Sequence, residues 1–375
     1  MTTYKPYGIK ELQDVLQEAR EKDLPVLSRH QKQDGIGLDF QNWNMIREID
    51  PVNLTVTAER GVTFGELEEA VRGHGLHMAA MTEDLRDITL GDFFAEQYGS
   101  LTGELYNQPR YQVLGLEVML ADGTILHVAG KTVKNVTGYD MCRFYISSRE
   151  TLAIPLAFTI KLVSRKAVQA VLEAPVETPD VLPGLVRSLR EKHLRPEVCV
   201  YWNRAAAKAV SEAGGRLVMV LSGTQERVQR DLWEISKTAE ALGIALTISE
   251  QPEVQWEAIR KLREKTIWHD GVKVPTLQCE AMLEALEEYG IGCWYSPLQG
   301  SLQLMPPVAD GGLYRNICKA AEELGGCGNW YYQYLYGFAP AGETRVWQQL
   351  KDKFDAEGRL NPINQMEKGG EPHGN

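Results

Sequence analysis

The residues best suited to hold a ligand lie in one run, Lys131-Thr-Val-Lys-Asn-Val-Thr-Gly-Tyr-Asp-Met-Cys-Arg-Phe144. Lysines, amide and hydroxyl groups and a glycine precede the Asp140 carboxylate, and a short helix is expected to open there. Backbone N–H groups at such a loop meet anionic oxygens, so the chemistry on offer is the binding of an extended, phosphate-bearing ligand. A loop that only connects a strand to a helix has the same make-up, so the run decides nothing alone. His269-Asp270, beside Trp268, is a second pair that could face a substrate carboxylate. The histidines show no metal-ligand spacing beyond the i,i+3 pair His74 and His77, which reads as a helix end. The six cysteines are scattered with no C-x-x-C pair, so no metal site is expected and the thiols should be reduced and mostly buried.

The elements that must position these residues can be traced along the chain. Ile9 to Arg20 has helical periodicity, and Asn53 to Ala58 alternates as a strand. Thr63 with Glu66 has capping-box spacing before a helix that should stop near Gly73 or Gly75. Leu116 to Val128 reads as a hairpin about Asp122-Gly123, followed by a strand at Ala157 to Val163. From residue 166 the texture changes to repeated strand–helix–strand units. These fit an antiparallel sheet with helices on one face, and Trp330 to Tyr336 reads as an aromatic strand. The expected organisation is 1–165, 166–340, a returning segment 341–366 and a disordered tail 367–375.

At 375 residues, 43% hydrophobic and 24% charged, the chain can bury two ordinary cores. A net charge of −11 argues against a general nucleic-acid binder. No apolar run reaches the roughly 18–20 residues a membrane span needs, and the start has no signal-like core. A cytoplasmic location is therefore expected, with membrane association only through partners.

Four motifs occur in order: Asn53-Leu-Thr-Val-Thr-Ala-Glu-Arg-Gly-Val-Thr63, Leu120-Ala-Asp-Gly-Thr124, Lys134-Asn-Val-Thr-Gly-Tyr-Asp140 and Phe354-Asp-Ala-Glu-Gly-Arg-Leu-Asn-Pro362. Together they resemble the FAD-linked oxidases with a PCMH-type (vanillyl-alcohol-oxidase-like) flavin domain, most of all the glycolate oxidase E-subunit branch. The resemblance implies an α+β fold in which a two-subdomain FAD-binding domain is joined to an α+β capping domain. It implies FAD as cofactor and hydride transfer from a 2-hydroxy acid of the glycolate or D-lactate type. It also implies a related flavoprotein subunit and an iron–sulfur subunit as partners. Thr89, Gly91, Asn135, Gly138, Tyr139 and Asp140 are the cofactor-groove residues it points to; it names no catalytic residue.

The chain departs from the family pattern at its glycines. The diphosphate loop reads Leu27-Ser-Arg-His-Gln-Lys-Gln33, the usual Thr-Ile-Gly-Gly reads Thr89-Leu-Gly-Asp92, and a third glycine loop reads Ser147-Ser-Arg-Glu-Thr-Leu-Ala-Ile154. Glycine allows close backbone approach, whereas side chains here should crowd a flavin, and Asp92 and Glu150 should repel its diphosphate. The alternative is a flavin-free scaffold of the same fold, kept for its interfaces, with an exposed aromatic patch at 331–336.

Overall fold

The computed structural model describes residues 2–28, 34–130, 140–210 and 214–363. The Asn53 to Ala58 alternation becomes the strand Thr55–Glu59, at the heart of an antiparallel sheet. Its spatial order is Ile46–Asp50, Thr55–Glu59, Ile154–Ser164, Val113–Met119, Ile125–Ala129. The Asp122-Gly123 hairpin forms as expected, with Gly123 at φ +85°. A smaller parallel sheet of Thr2–Tyr4, Ile36–Leu38 and Val26–Leu27 stands beside it, packed on the Ile9–Glu21 helix through Leu12, Val15 and Leu16. The resemblance implies two subdomains here, and these two sheets form two such layers.

Local signals set the Phe64–Arg72 helix. Thr63 Oγ1 accepts from Glu66 N–H while the Glu66 carboxylate accepts from Thr63 N–H, closing both ends of the capping box. Phe64, Leu67 and Val71 then face the core.

Beyond residue 166 an eight-stranded sheet runs Thr247–Ile248, Val168–Pro175, Arg216–Gly223, Val198–Trp202, Gly292–Ser296, Ser301–Met305, Trp268–Lys273, Cys327–Gly328, with every pairing antiparallel. Helices cover both faces, not one. One face packs on Val181–Glu191, Gln225–Ala241, Cys279–Glu288 and Gly311–Glu323. The other packs on Arg204–Ala209 and Pro252–Lys265, which bring Ala206, Ile259 and Leu262 against Val200 and Trp202. The sequence reading passed over this second layer because Pro252–Lys265 is dominated by charged and polar residues.

The Trp330 to Tyr336 segment is also corrected: Trp330–Leu335 is a helix, capped by Asn329 Oδ1 accepting from Tyr331 N–H. Its tyrosines are not an exposed patch. Tyr332, Tyr334 and Tyr336 are buried, and Tyr332 and Tyr336 pack around Tyr314 and the Trp268 strand. Burial of aromatic area overrides the strand propensity of the run.

One buried ion pair ties the large sheet to the first part of the chain. Arg263 Nε donates to Asp84 Oδ2 at 2.7 Å and Nη1 to Gly99 O at 3.1 Å, with side chains 3% and 0% exposed. The C-terminal helix Ala341–Phe354 returns to the first sheets. Buried Lys351 Nζ donates to Thr151 O, Asp355 Oδ2 and Leu360 O, while Leu360 bridges to Val26. No helix among the described residues is long and apolar enough to cross a membrane. All six cysteines are free, and five are buried.

Removing one partner of a sealed pair leaves an uncompensated charge, which costs about 3–5 kcal/mol. Arg263→Ala should lose about that much stability by urea denaturation, and R263L/D84L should regain most of it. Equal stability of the single and double variants would show that the pair does not couple the two layers.

Candidate functional site

Three of the segments that the resemblance implies for FAD converge on one point, and there they bind each other. Glu150 Oε1 lies 3.0 Å from Arg60 Nη2, and each side chain is 2% exposed. Ser28 Oγ donates to Glu150 Oε2, and Asn361 Nδ2 donates to Ser28 Oγ at 2.7 Å and to Glu150 O at 2.9 Å. Arg60 Nη1 donates to Pro155 O, and its guanidinium lies 4.0 Å over the Phe40 ring. Arg149 and Glu150 both have positive φ, 51° and 60°, a conformation in which glycine is far more at ease. The backbone thus keeps the shape of a glycine loop while carrying two large charged side chains. They point to different neighbours: Glu150 to Arg60, and Arg149 onto the Tyr331 ring at 4.1 Å.

The backbone donors of this path are already engaged. Ser28 N–H donates to Asn361 Oδ1, Gly91 N–H to Arg60 O, Asp92 N–H to Thr89 Oγ1 and Thr151 N–H to Ser148 O. A Cβ on Gly91 would come within 2.8 Å of Arg60 Nε, so the glycine that survives here makes room for the guanidinium. Thr89 is the N-cap of the Leu90–Glu96 helix, and Asp140 caps Met141–Ser147 by accepting from Arg143 N–H at 3.0 Å. Asn135, Gly138 and Tyr139 lie outside the described residues, as do Arg29 and Lys32. Glu150, which the sequence reading placed against the diphosphate, is paired with Arg60. Asp92 is occupied by its own cap, accepting from Thr89 Oγ1. As folded, the pairing of Glu150 with Arg60 and the engaged N–H groups of Ser28, Gly91 and Thr151 do not fit a diphosphate, although Arg149 Nη1 and Nη2 have no hydrogen-bond partner among the described residues.

A separate cavity of about 310 Å³ opens where the Leu90–Glu96 helix and the segment after it meet the large sheet. Phe93, Phe94, Tyr98 and Trp330 give it aromatic walls, and Arg110, Lys273 and Asp270 are its charged lining. Asp270 is held by Ser301 Oγ and by Gln303 Nε2 at 2.6 Å. Arg110 Nε and Trp330 Nε1 are buried donors without an acceptor among the described residues. Two cations and two unused donors against one engaged carboxylate suit a small anionic ligand. The sequence reading missed Arg110 and Lys273, which no local motif marks.

His269, paired with Asp270 in the sequence reading, does not line the cavity. Its ring is buried edge-on against Tyr98 at 4.6 Å, with Nδ1 lacking a partner among the described residues. Burial, then the Arg263 cation, push its pKa down to about 3, so the imidazole is neutral near pH 7 and too weak a base to take a substrate proton. Burial also raises the Cys142 and Cys199 thiols to about 12, leaving them unreactive.

Residues 3–129 match the family model described as FAD binding domain. Over that segment the chain is similar to the FAD-linked oxidases. The FAD binding domain match and the FAD-linked relatives support FAD as the cofactor. The chain is 28% identical over 274 residues to glycolate oxidase subunit GlcD of Bacillus subtilis, covering 68% of this chain and 58% of that protein. It is 29% identical over 263 residues to D-lactate dehydrogenase of Archaeoglobus fulgidus, covering 64% and 57%. These matches span less than three-fifths of either relative. Among solved structures, p-cresol methylhydroxylase with substrate bound superposes with TM-score 0.72 at 15% identity, over 95% of this chain and 88% of that one. An alkyldihydroxyacetonephosphate synthase gives 0.68 at 12% identity, over 96% and 76%. Both show the fold.

The His269 shift carries a sign. Its folded pKa lies below the unfolded value, so between about pH 3 and 6.5 only the unfolded chain holds this proton, and stability falls as pH falls through that window. At pH 5 the loss relative to pH 7 should be about 2 kcal/mol. His269→Gln should flatten that limb of a melting-temperature profile, and an unchanged profile would place the acid sensitivity elsewhere.

Proposed function

We propose that this chain is a subunit of an FAD-linked dehydrogenase for small 2-hydroxy acids of the glycolate or D-lactate type. The observation that carries this reading is the cavity at the sheet junction, with Arg110, Lys273 and the unused Trp330 N–H. A volume at the small end of ligand pockets suits a small acid, and the two cations suit its carboxylate. The relatives named for glycolate and D-lactate oxidation support the same substrate class. In this reading Arg110 and Lys273 bind the carboxylate, Asp270 orients the polar end, and Phe93, Tyr98 and Trp330 keep water from the carbon that is oxidised.

The organisation proposed is a flavin-type domain to residue 165, a capping domain over 166–340 and a returning segment over 341–366. The assembly contains a related flavoprotein subunit and an iron–sulfur subunit. This chain takes the E-type place beside them, and oxidation of an acid bound in its cavity requires a flavin in its own FAD domain, which the Arg60–Glu150 pair closes as folded. The closed path equally favours the second reading, a scaffold of the same fold that contributes interfaces rather than a flavin.

Activity of the co-purified assembly with a dye acceptor tests the first reading. Glycolate or D-lactate should be oxidised, and Arg110→Gln and Lys273→Gln should each raise KM about 10-fold or more while the assembly stays intact. Wild-type kinetics in both variants would remove the cavity from substrate binding. Inactivity on every small 2-hydroxy acid, with the assembly intact, would leave the scaffold reading.

A further inference from the structure

We propose that the Arg60–Glu150 pair, locked by Ser28 and Asn361, is a built-in plug that FAD must displace to enter this chain. The inference rests on the family's cofactor and on the geometry of the path, not on the substrate reading. Glu150 reaches the centre of the path from a loop that keeps a glycine-like backbone, at φ +60°. Arg60 meets it from the turn before the Phe64–Arg72 helix, and the pair is 2% exposed on both sides.

The surrounding groups are satisfied by one another. Asn361 takes the Ser28 N–H and gives its own amide hydrogens to Ser28 Oγ and Glu150 O. Arg60 takes the Gly91 N–H with its carbonyl and fills the space beside Gly91 with its side chain. A diphosphate entering here would meet the Glu150 carboxylate and find the Ser28, Gly91 and Thr151 N–H groups in use. Entry therefore requires the plug to open, and apparent affinity falls by the fraction of molecules in which it is open.

Glu150→Gly tests the plug most directly. Glycine is at home at φ +60°, and the change frees the Arg60 cation at the site of the phosphates. The chain within its assembly, and alone where it purifies alone, is titrated with FAD and with ADP as a probe of the diphosphate half. Binding is read by flavin fluorescence, by calorimetry and by the melting-temperature shift. E150G should bind both at least ~10-fold more tightly than wild type, and wild type should purify with well under one FAD per chain. Glu150→Gln, which keeps the side-chain shape but removes the charge, should show a smaller gain and serves if E150G does not fold.

A wild-type chain carrying one tightly bound FAD, with E150G or E150Q binding no better, overturns the plug. That result would leave the dehydrogenase reading standing. An inactive assembly whose E150G chain gains FAD would do the reverse.

Discussion

A buried charge needs a buried partner, and much of this molecule follows from where Arg60 finds one. Its guanidinium is buried beside the Leu90–Glu96 helix, against Phe40, and among the described residues Glu150 supplies the opposing charge. To deliver that carboxylate, residues 149 and 150 hold a left-handed backbone that disfavours side chains. Asn361 then brings the end of the chain to the same point, and Lys351 fastens the helix that carries it there. One pair thus fixes the register of a strand turn, a loop and the C-terminal return together.

The same economy of charge appears between the sheets. Arg263 crosses from the Pro252–Lys265 helix to Asp84, and its field helps keep nearby His269 neutral. Arg149 rests instead over the rings of Tyr331 and Tyr332, with Nη1 and Nη2 lacking a hydrogen-bond partner among the described residues. Charged groups that might have served a ligand have become parts of the scaffold. The cavity beside them keeps the unused donors of Arg110 and Trp330, so binding capacity and structural ion pairs occupy adjacent but distinct places.

Elements with strong local signals were readable from the chain alone. Thr63 with Glu66, the Asp122-Gly123 turn and the Thr55–Glu59 alternation each specify their structure within a few residues. Trp330–Leu335 was not readable in this way. Its aromatic run has strand propensity, yet the Asn329 cap and the pocket around Tyr314 make it a helix. Pro252–Lys265 escaped for the opposite reason: its buried face is narrow and includes Gln255 and Arg263, whose burial depends on partners far away in sequence.

The sequence by itself determined the resemblance to the FAD-linked oxidases, the α+β class and the positions at which the glycines of that pattern are absent, because motif order and glycine identity are local properties. It marked Glu150 as a side chain where the resemblance expects a glycine, without showing what faced it. Only the tertiary structure decided that Arg60, ninety residues earlier, neutralises it, and that Ser28 and Asn361, separated by 333 residues, complete the network. Pairing of buried charges depends on proximity in space, which residue type and spacing along a chain do not encode.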